Sequence, residues 1–286
     1  MDTLPPELIN YIFNYLTQHD LASLSLVCRP WSSIALPRLY YSPCLTTADQ
    51  LNRFAYIQHR LKLIANLDLS AVGHHVTNKH LHHFYNNSNN NNTNLTLSLS
   101  CINLTDCDKI STHVLNQLIQ RSIHTLHTVI LINCKLNLET LKLLRQASSL
   151  FHLIKLDLSG TMILPCHAID TPNHLENLIE ANHSKLQELN VGGCNWVDSQ
   201  TVANIARGLP KLIRLGLFWC DQVYFTSCLD MVQQLDYLEY LDLQHIPAIN
   251  SQVKAMSLLD HGGRSLKFIE YSDKLRKTVL QKNKIK

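Results

Sequence analysis

Residues Leu126–Leu136 read LHTVILINCKL, with apolar or small side chains at fixed slots: Leu126, Val129, Leu131, Cys134 and Leu136. Alternation through Val129 and Leu131 is the period of a strand with one face buried. The same spacing returns as LIKLDLSGTMI from Leu153, LQELNVGGC from Leu186, LIRLGLFWC from Leu212, LEYLDLQHI from Leu238 and LKFIEYSDK from Leu266. The starts are 27, 33, 26, 26 and 28 residues apart, a period too regular for chance. Weaker copies surround Ile64-x-x-Leu67-x-Leu69 and Leu95-x-Leu97-x-Leu99. Each strand pattern precedes a helical one, as with Val202, Ile205, Ala206 and Leu209 ahead of Pro210. The composition agrees: 51 of 286 residues are leucine and only 16% are charged, against a usual ~25%.

One strand and one helix per period, too small to bury a face alone, stack into an α/β solenoid with parallel strands on the concave side and helices on the convex side. The pattern L-x-x-L-x-L-x-x-C/N-x-L resembles leucine-rich repeats, about eight of them over residues 63–273. Cys134, Cys194 and Cys220 fill the C/N slot and are expected to be buried structural thiols. The 33-residue step holds a proline-bounded insertion, 165–172, and residues 86–94 contain seven asparagines; both read as loops.

Residues 4–36 carry a different pattern. Pro5 and Pro6 suit a helix start, and Leu8, Ile12 and Leu16 follow at four-residue steps. Asp20 is placed to cap a second helix over Leu21, Leu24, Val27 and Cys28, and Pro30 opens a third containing Trp31 and Ile34. Leu4-Pro5-x-Glu7, Ile12-Phe13, Leu16, Asp20-Leu21, Leu24, Val27-Cys28 and Trp31 match the F-box motif, so residues 1–42 resemble an F-box, with a linker helix region at 43–62. The resemblance implies docking of the Skp linker subunit of an SCF-type (Skp–cullin–F-box) ubiquitin ligase, and through it a cullin. Leu4, Pro5, Leu8, Ile12, Leu16, Leu21, Leu24, Val27, Cys28 and Trp31 are the expected contacts, with Trp31 the expected anchor.

No stretch approaches the ~20 apolar residues of a membrane span, and the N-terminus lacks a basic, apolar leader. Nine scattered cysteines fit reduced thiols, so a cytoplasmic or nuclear protein is expected, with no membrane and no nucleic acid as partner. No glycine-rich phosphate loop, nucleophile elbow or zinc spacing occurs, so neither an enzyme nor a cofactor is expected. Five histidines within 74–83 lack the spacing of a metal site. Residues 274–286 hold six basic and no acidic side chains, leaving 19 basic against 22 acidic elsewhere; this tail reads as solvated.

Strand residues between the core leucines point to the concave face. Recognition-prone types concentrate in the later copies: Lys155 and Asp157, Glu188 and Asn190, Arg214 and Phe218, Tyr240, Asp242 and Gln244, with Trp219 and His245 one step along their strands. These are the candidates for holding a protein substrate. The combined expectation is a substrate-recruiting adaptor for ubiquitin-dependent degradation, the alternative being a non-degradative leucine-rich-repeat scaffold.

Overall fold

The computed structural model describes residues 4–56, 58–85, 97–150, 152–163, 185–273 and 276–282. The asparagine run 86–94, the insertion 165–172 and the chain's last four residues lie outside them.

Three helices come first: α1 (Pro6–Phe13), α2 (Gln18–Leu24) and α3 (Arg29–Tyr41). Pro6 begins α1, where a missing N–H costs no hydrogen bond. The α2 cap corrects the sequence reading: Thr17 is the N-cap, accepting from the Asp20 backbone N–H, while the Asp20 carboxylate reaches back to Thr17 N. Asp20 thus completes a capping box three residues in. Val27 and Cys28 likewise fall outside α2, in the turn to α3, with Cys28 its N-cap.

The array follows. Strands β1 (Asn66–Asp68), β2 (Cys101–Asn103), β3 (Thr128–Ile130), β5 (Lys155–Asp157), β7 (Glu188–Asn190), β8 (Arg214–Gly216), β9 (Tyr240–Leu243) and β10 (Phe268–Asp273) are successive parallel neighbours in one sheet. A side pair, β4 (Lys135–Leu136) and β6 (Met162–Ile163), lies beyond it. Helices α5 (Asn78–Tyr85), α6 (Thr112–Ser122), α7 (Leu138–Leu150), α8 (Ser199–Gly208), α9 (Phe225–Gln234) and α10 (Gln252–His261) alternate with the strands.

Register puts Leu67, Ile102, Val129, Leu156, Leu189, Leu215, Leu241 and Ile269 in a single row, all buried. Burying each stabilises the array by roughly 1.5–3 kcal/mol before entropy is counted. The second copy sits four residues later than its sequence pattern suggested. Leu99, Ile102, Leu104 and Cys107 occupy the slots, and the strand is Cys101–Asn103. Leu97 and Leu99 are both buried, so alternation alone did not reveal the register.

The region 43–62 is part of the array rather than a separate linker. It forms α4 (Ala48–Phe54), headed by a Thr47/Gln50 capping box. Leu45, Leu51, Phe54 and Leu61 join the repeat core, with the Phe54 ring 6.1 Å from that of Phe84. A solenoid needs its first repeat covered, and this segment covers it.

The other end corrects a second expectation. Residues of the basic tail form β11 (Arg276–Gln281), antiparallel to β10 from Asp273↔Arg276 to Phe268↔Gln281. Leu280 packs on the core, and Lys282 Nζ donates to the carbonyls of Leu259 (3.0 Å) and Gly262 (3.2 Å) at the end of α10. Basic character did not prevent folding because alternate residues cover the last strand while the charge answers helix carbonyls.

Cys134, Cys194 and Cys220 are buried, and their thiols donate to carbonyls of the preceding repeat: Leu104 (3.0 Å), Leu158 (3.0 Å) and Val191 (3.5 Å). Burial pushes the Cys134 and Cys220 thiols up to about 12, away from the reactive thiolate. Alkylation of the native protein should therefore label exposed Cys28 and Cys44 well before Cys107, Cys134, Cys194 or Cys220. Mass spectrometry of a time course checks the order. Truncation after Asp273 should lower the melting temperature by several degrees, because it strips the cover from β10; an unchanged melting curve would refute that role.

Candidate functional site

Two surfaces carry candidate functional groups. In the N-terminal module, Ile9, Phe13, Leu21 and Ala35 form a small core of their own. Leu16, Leu24 and Trp31 pack against it half-buried, with the Trp31 ring edge-on to Phe13 at 6.0 Å and 89°. Leu21, expected among the contacts, is an interior residue of this core. Trp31 is divided between the core and the surface, so its truncation would disturb the module as well as any interface. Leu4, Pro5, Leu8, Ile12, Val27 and Cys28 face solvent, Leu8 with 50% and Val27 with 61% of its surface exposed.

Sequence reasoning missed Tyr11, Tyr15 and Leu26, which are exposed as well. Leu8, Tyr11, Ile12 and Tyr15 fall on one face by helical spacing, the face opposite Ile9 and Phe13, and that period was legible. Arg38 clamps this arrangement: its guanidinium donates to Asn10 O (3.1 Å) and Asn14 Oδ1 (3.0 Å), tying α1 to α3. The Tyr41 carbonyl then accepts from Ala65 N at 3.0 Å, so α3 leads directly into the array.

The second surface is the strand face turned from the core. One shallow cleft of about 190 Å³ is lined by Lys155, Asp157, Glu188, Asn190, Arg214, Tyr240 and Asp242, with Gly216 among its lining residues. Lys155 pairs with Glu188 at 2.9 Å, and the Arg214 guanidinium lies over the Tyr240 ring, 4.7 Å from its centre. Phe218 is half-buried with its ring over Gly192, where a Cβ would collide with it.

Asp157, Asn190 and Asp242 have a role that residue type did not disclose. Each side chain accepts from the backbone N–H two residues on: Ser159 (3.0 Å), Gly192 (3.1 Å) and Gln244 (3.0 Å). Asp68 and Asn103 do the same for Ser70 and Thr105. These Asx turns end the strands. The repeated Asp/Asn at the slot between the last two core leucines was the available signal.

From the second repeat to the copy at Leu238, the chain then passes through a left-handed residue: Asp106, Asn133, Gly160, Gly193, Trp219 and His245, all with φ near +60°. Trp219 and His245 stack with ring centres 4.1 Å apart and planes 18° from parallel. Sequence reasoning also passed over Glu270 and Lys277. Glu270 follows Asp242 in register, accepts from Gln244 Nε2 at 2.9 Å, and pairs with Lys277 of β11. Gln244 Nε2 also donates to both Asp242 oxygens, so one neutral amide spans two carboxylates. Burial, then the Glu270 charge, raise the Asp242 carboxyl above its usual range against the hydrogen bonds from Gln244. Burial and its hydrogen bond to Glu270 raise the Tyr240 hydroxyl.

Residues 1–46 match the F-box-like family model. Over 271 residues the chain is 25% identical to F-box/LRR-repeat protein 4 of Bos taurus, covering 85% of this chain. The chain carries an F-box-like module on a leucine-rich-repeat array. It spans 42% of the length of that relative. Among solved structures it resembles the crystal structure of the Rad7 and Elc1 complex in yeast, at 17% identity and a TM-score of 0.46, covering 93% of this chain and 58% of that one. Among the described residues no group of three or more His, Cys, Asp or Glu side chains could hold a metal ion, and no helix is long and apolar enough to cross a membrane.

The Asp242 environment gives a signed prediction. A carboxyl raised in the folded state makes stability fall as pH rises from the unfolded value through the folded one. Asp242→Asn keeps an oxygen for Gln244 N and removes the charge, so it should leave the melting temperature at neutral pH unchanged or higher and flatten that pH dependence. Asp242→Ala removes the turn acceptor as well and should lower it, the loss of one such hydrogen bond costing about 1 kcal/mol. Thermal melts from acid to neutral pH distinguish the two.

Proposed function

We propose that the chain is a substrate-recruiting adaptor of an SCF-type ubiquitin ligase. Its F-box-like module binds the Skp linker subunit, which brings the cullin, and its strand face holds a protein substrate. The observation that carries the reading is the apolar surface of Leu4, Leu8, Ile12, Leu26 and Val27, left in solvent by a module whose own core is already closed. Apolar side chains at adjoining positions, Leu26 with 87% of its surface exposed, are what a protein interface would bury. In this reading the chain supplies no catalytic group. It raises the local concentration of substrate beside a catalytic partner, the entropic part of catalysis. Degradation of the substrate, and work in the cytoplasm or nucleus, belong to the same proposal.

Leu8→Asp with Val27→Asp should leave folding intact, since both side chains are exposed, and should abolish capture of the Skp linker and cullin from cells. Desolvating even one carboxylate in an apolar interface costs several kcal/mol, a loss of at least about a hundredfold in affinity. Undiminished capture by the double variant refutes the docking surface. Linker without cullin from the wild-type chain refutes the ligase role and leaves a scaffold.

A further inference from the structure

The strand face is not uniform in charge. Its cations on the described strands β5–β9 stand in the register row that begins each strand, Lys155 and Arg214, and Lys155 is already paired with Glu188. The row at the strand ends is Asp157, Asn190, Gly216, Asp242 and Glu270, three carboxylates in five positions. Lys277 pairs with Glu270 and its charge also acts on Asp242 from beyond ion-pair distance, while no ion pair among the described residues reaches Asp157 or Asp242. Their hydrogen-bond donors are backbone N–H groups and the neutral amides and hydroxyl of Asn190, Gln244 and Ser159, which leave the negative charge in place. A surface where three fixed carboxylates share one lysine is complementary to further cations.

Directly beyond this row stands the Trp219–His245 stack. It is continuous with the carboxylates, because Trp219 N donates to Gln244 O (2.9 Å) and the Gln244 side chain holds Asp242 and Glu270. Trp219 leaves 56% of its surface in solvent. At the same step the earlier repeats use Asp106, Asn133, Gly160 and Gly193, types that enter the left-handed region readily. An exposed indole is the opposite choice for stability, and burial in the core does not account for it. An aromatic face beside carboxylates is a receptor for ammonium and guanidinium groups, and the same sheet already holds a guanidinium on a ring at Arg214 and Tyr240.

We propose that the ends of β5 and β7–β10 bind a basic, extended segment of the protein substrate, with a lysine or arginine of that segment on the Trp219–His245 platform and its neighbours on Asp157 and Asp242. This rests on the reading of the strand face as the substrate surface and names the chemistry that the surface selects.

The test uses the full chain and fluorescein-labelled peptides on a Gly/Ser backbone, one bearing lysine and arginine, one bearing glutamate in their place, read by anisotropy at two salt concentrations. The basic peptide should bind about tenfold or more tightly than the acidic one and weaken with salt. Asp157→Asn with Asp242→Asn, which keep the turn acceptors that Asn103 and Asn190 already provide, should weaken it about tenfold. Trp219→Gly, matching Gly160 and Gly193, should weaken it similarly without lowering the melting temperature, and Trp219→Phe should restore part of the binding. Equal binding of both peptides, or binding unchanged in Trp219→Gly, overturns the proposal. The Leu8→Asp, Val27→Asp chain separates the two readings. If it keeps the basic peptide while the wild type captures no linker, the adaptor reading fails and this surface stands. If the wild type captures linker and cullin but shows no preference for the basic peptide, this surface fails and the adaptor reading stands.

Discussion

Everything in the array depends on parallel strands held in one register with a single row of apolar side chains beneath them. Most of these strands are three residues long, too short to be stable singly. Each is stable because neighbouring strands, on both sides for all but the edge strand β1, supply the backbone partners and the other half of its packing. The period of two makes the arrangement unforgiving: a one-residue slip would send Leu156 or Leu215 to solvent and a charged neighbour such as Lys155 or Arg214 into the core. The ladder also needs both ends closed, which is why the segment around α4 and strand β11 pack as they do.

That register fixes what the other face can present. Once the leucines point inward, the intervening residues are set side by side across strands at the spacing of a sheet, whatever their chemistry. The strand ends add a second constraint, because each repeat must leave the sheet within a few residues to begin its helix. An Asx turn followed by a left-handed residue accomplishes this after Asn103, Asp157, Asn190 and Asp242, while the Asp68 turn leads into a 3-10 helix instead. A side chain with a Cβ pays about 1–2 kcal/mol for that step, while a stacked aromatic pair returns about 0.5–1.5. Trp219 and His245 together therefore cost about 2–4 kcal/mol against the about 0.5–1.5 their one stack returns, a net strain that Gly193 and Gly160, one and two repeats before Trp219, avoid.

The strands, the core leucines and the buried cysteines were legible in the sequence because burial on one face imposes a period that one chain displays. The F-box-like helices were legible for a related reason, their apolar spacing being tied to proline starts and a gapped motif. What escaped had no period. Thr17 rather than Asp20 caps α2 because either residue satisfies the same local pattern, and only the hydrogen bonds decide. Leu95, Leu97 and Leu99 alternate as well as Leu99, Ile102 and Leu104 do in part, so the register of the second repeat needed its neighbours. Basic composition concealed β11, whose strand character comes from the edge it covers. The candidate site was legible as a set of residues in register, but the division of Asp157 and Asp242 between turn and surface was not, since it depends on which backbone N–H lies two residues on.

The two surfaces differ in how firmly they are held, and the difference bears on how an adaptor would work. Among the described residues the module's own core has four buried side chains, against the continuous apolar row of the array. Its shape rests heavily on the Arg38 clamp and on α3 running into the first repeat through the Tyr41–Ala65 hydrogen bond. Local stability of such a unit is low, and a partner that binds only its folded form raises it by mass action. Docking would therefore stiffen the element that sets the position of the strand face relative to the partner. Because the end of α3 is hydrogen-bonded to the first repeat, the proposed docking would, on the adaptor reading, bear on the direction in which the strand face is presented.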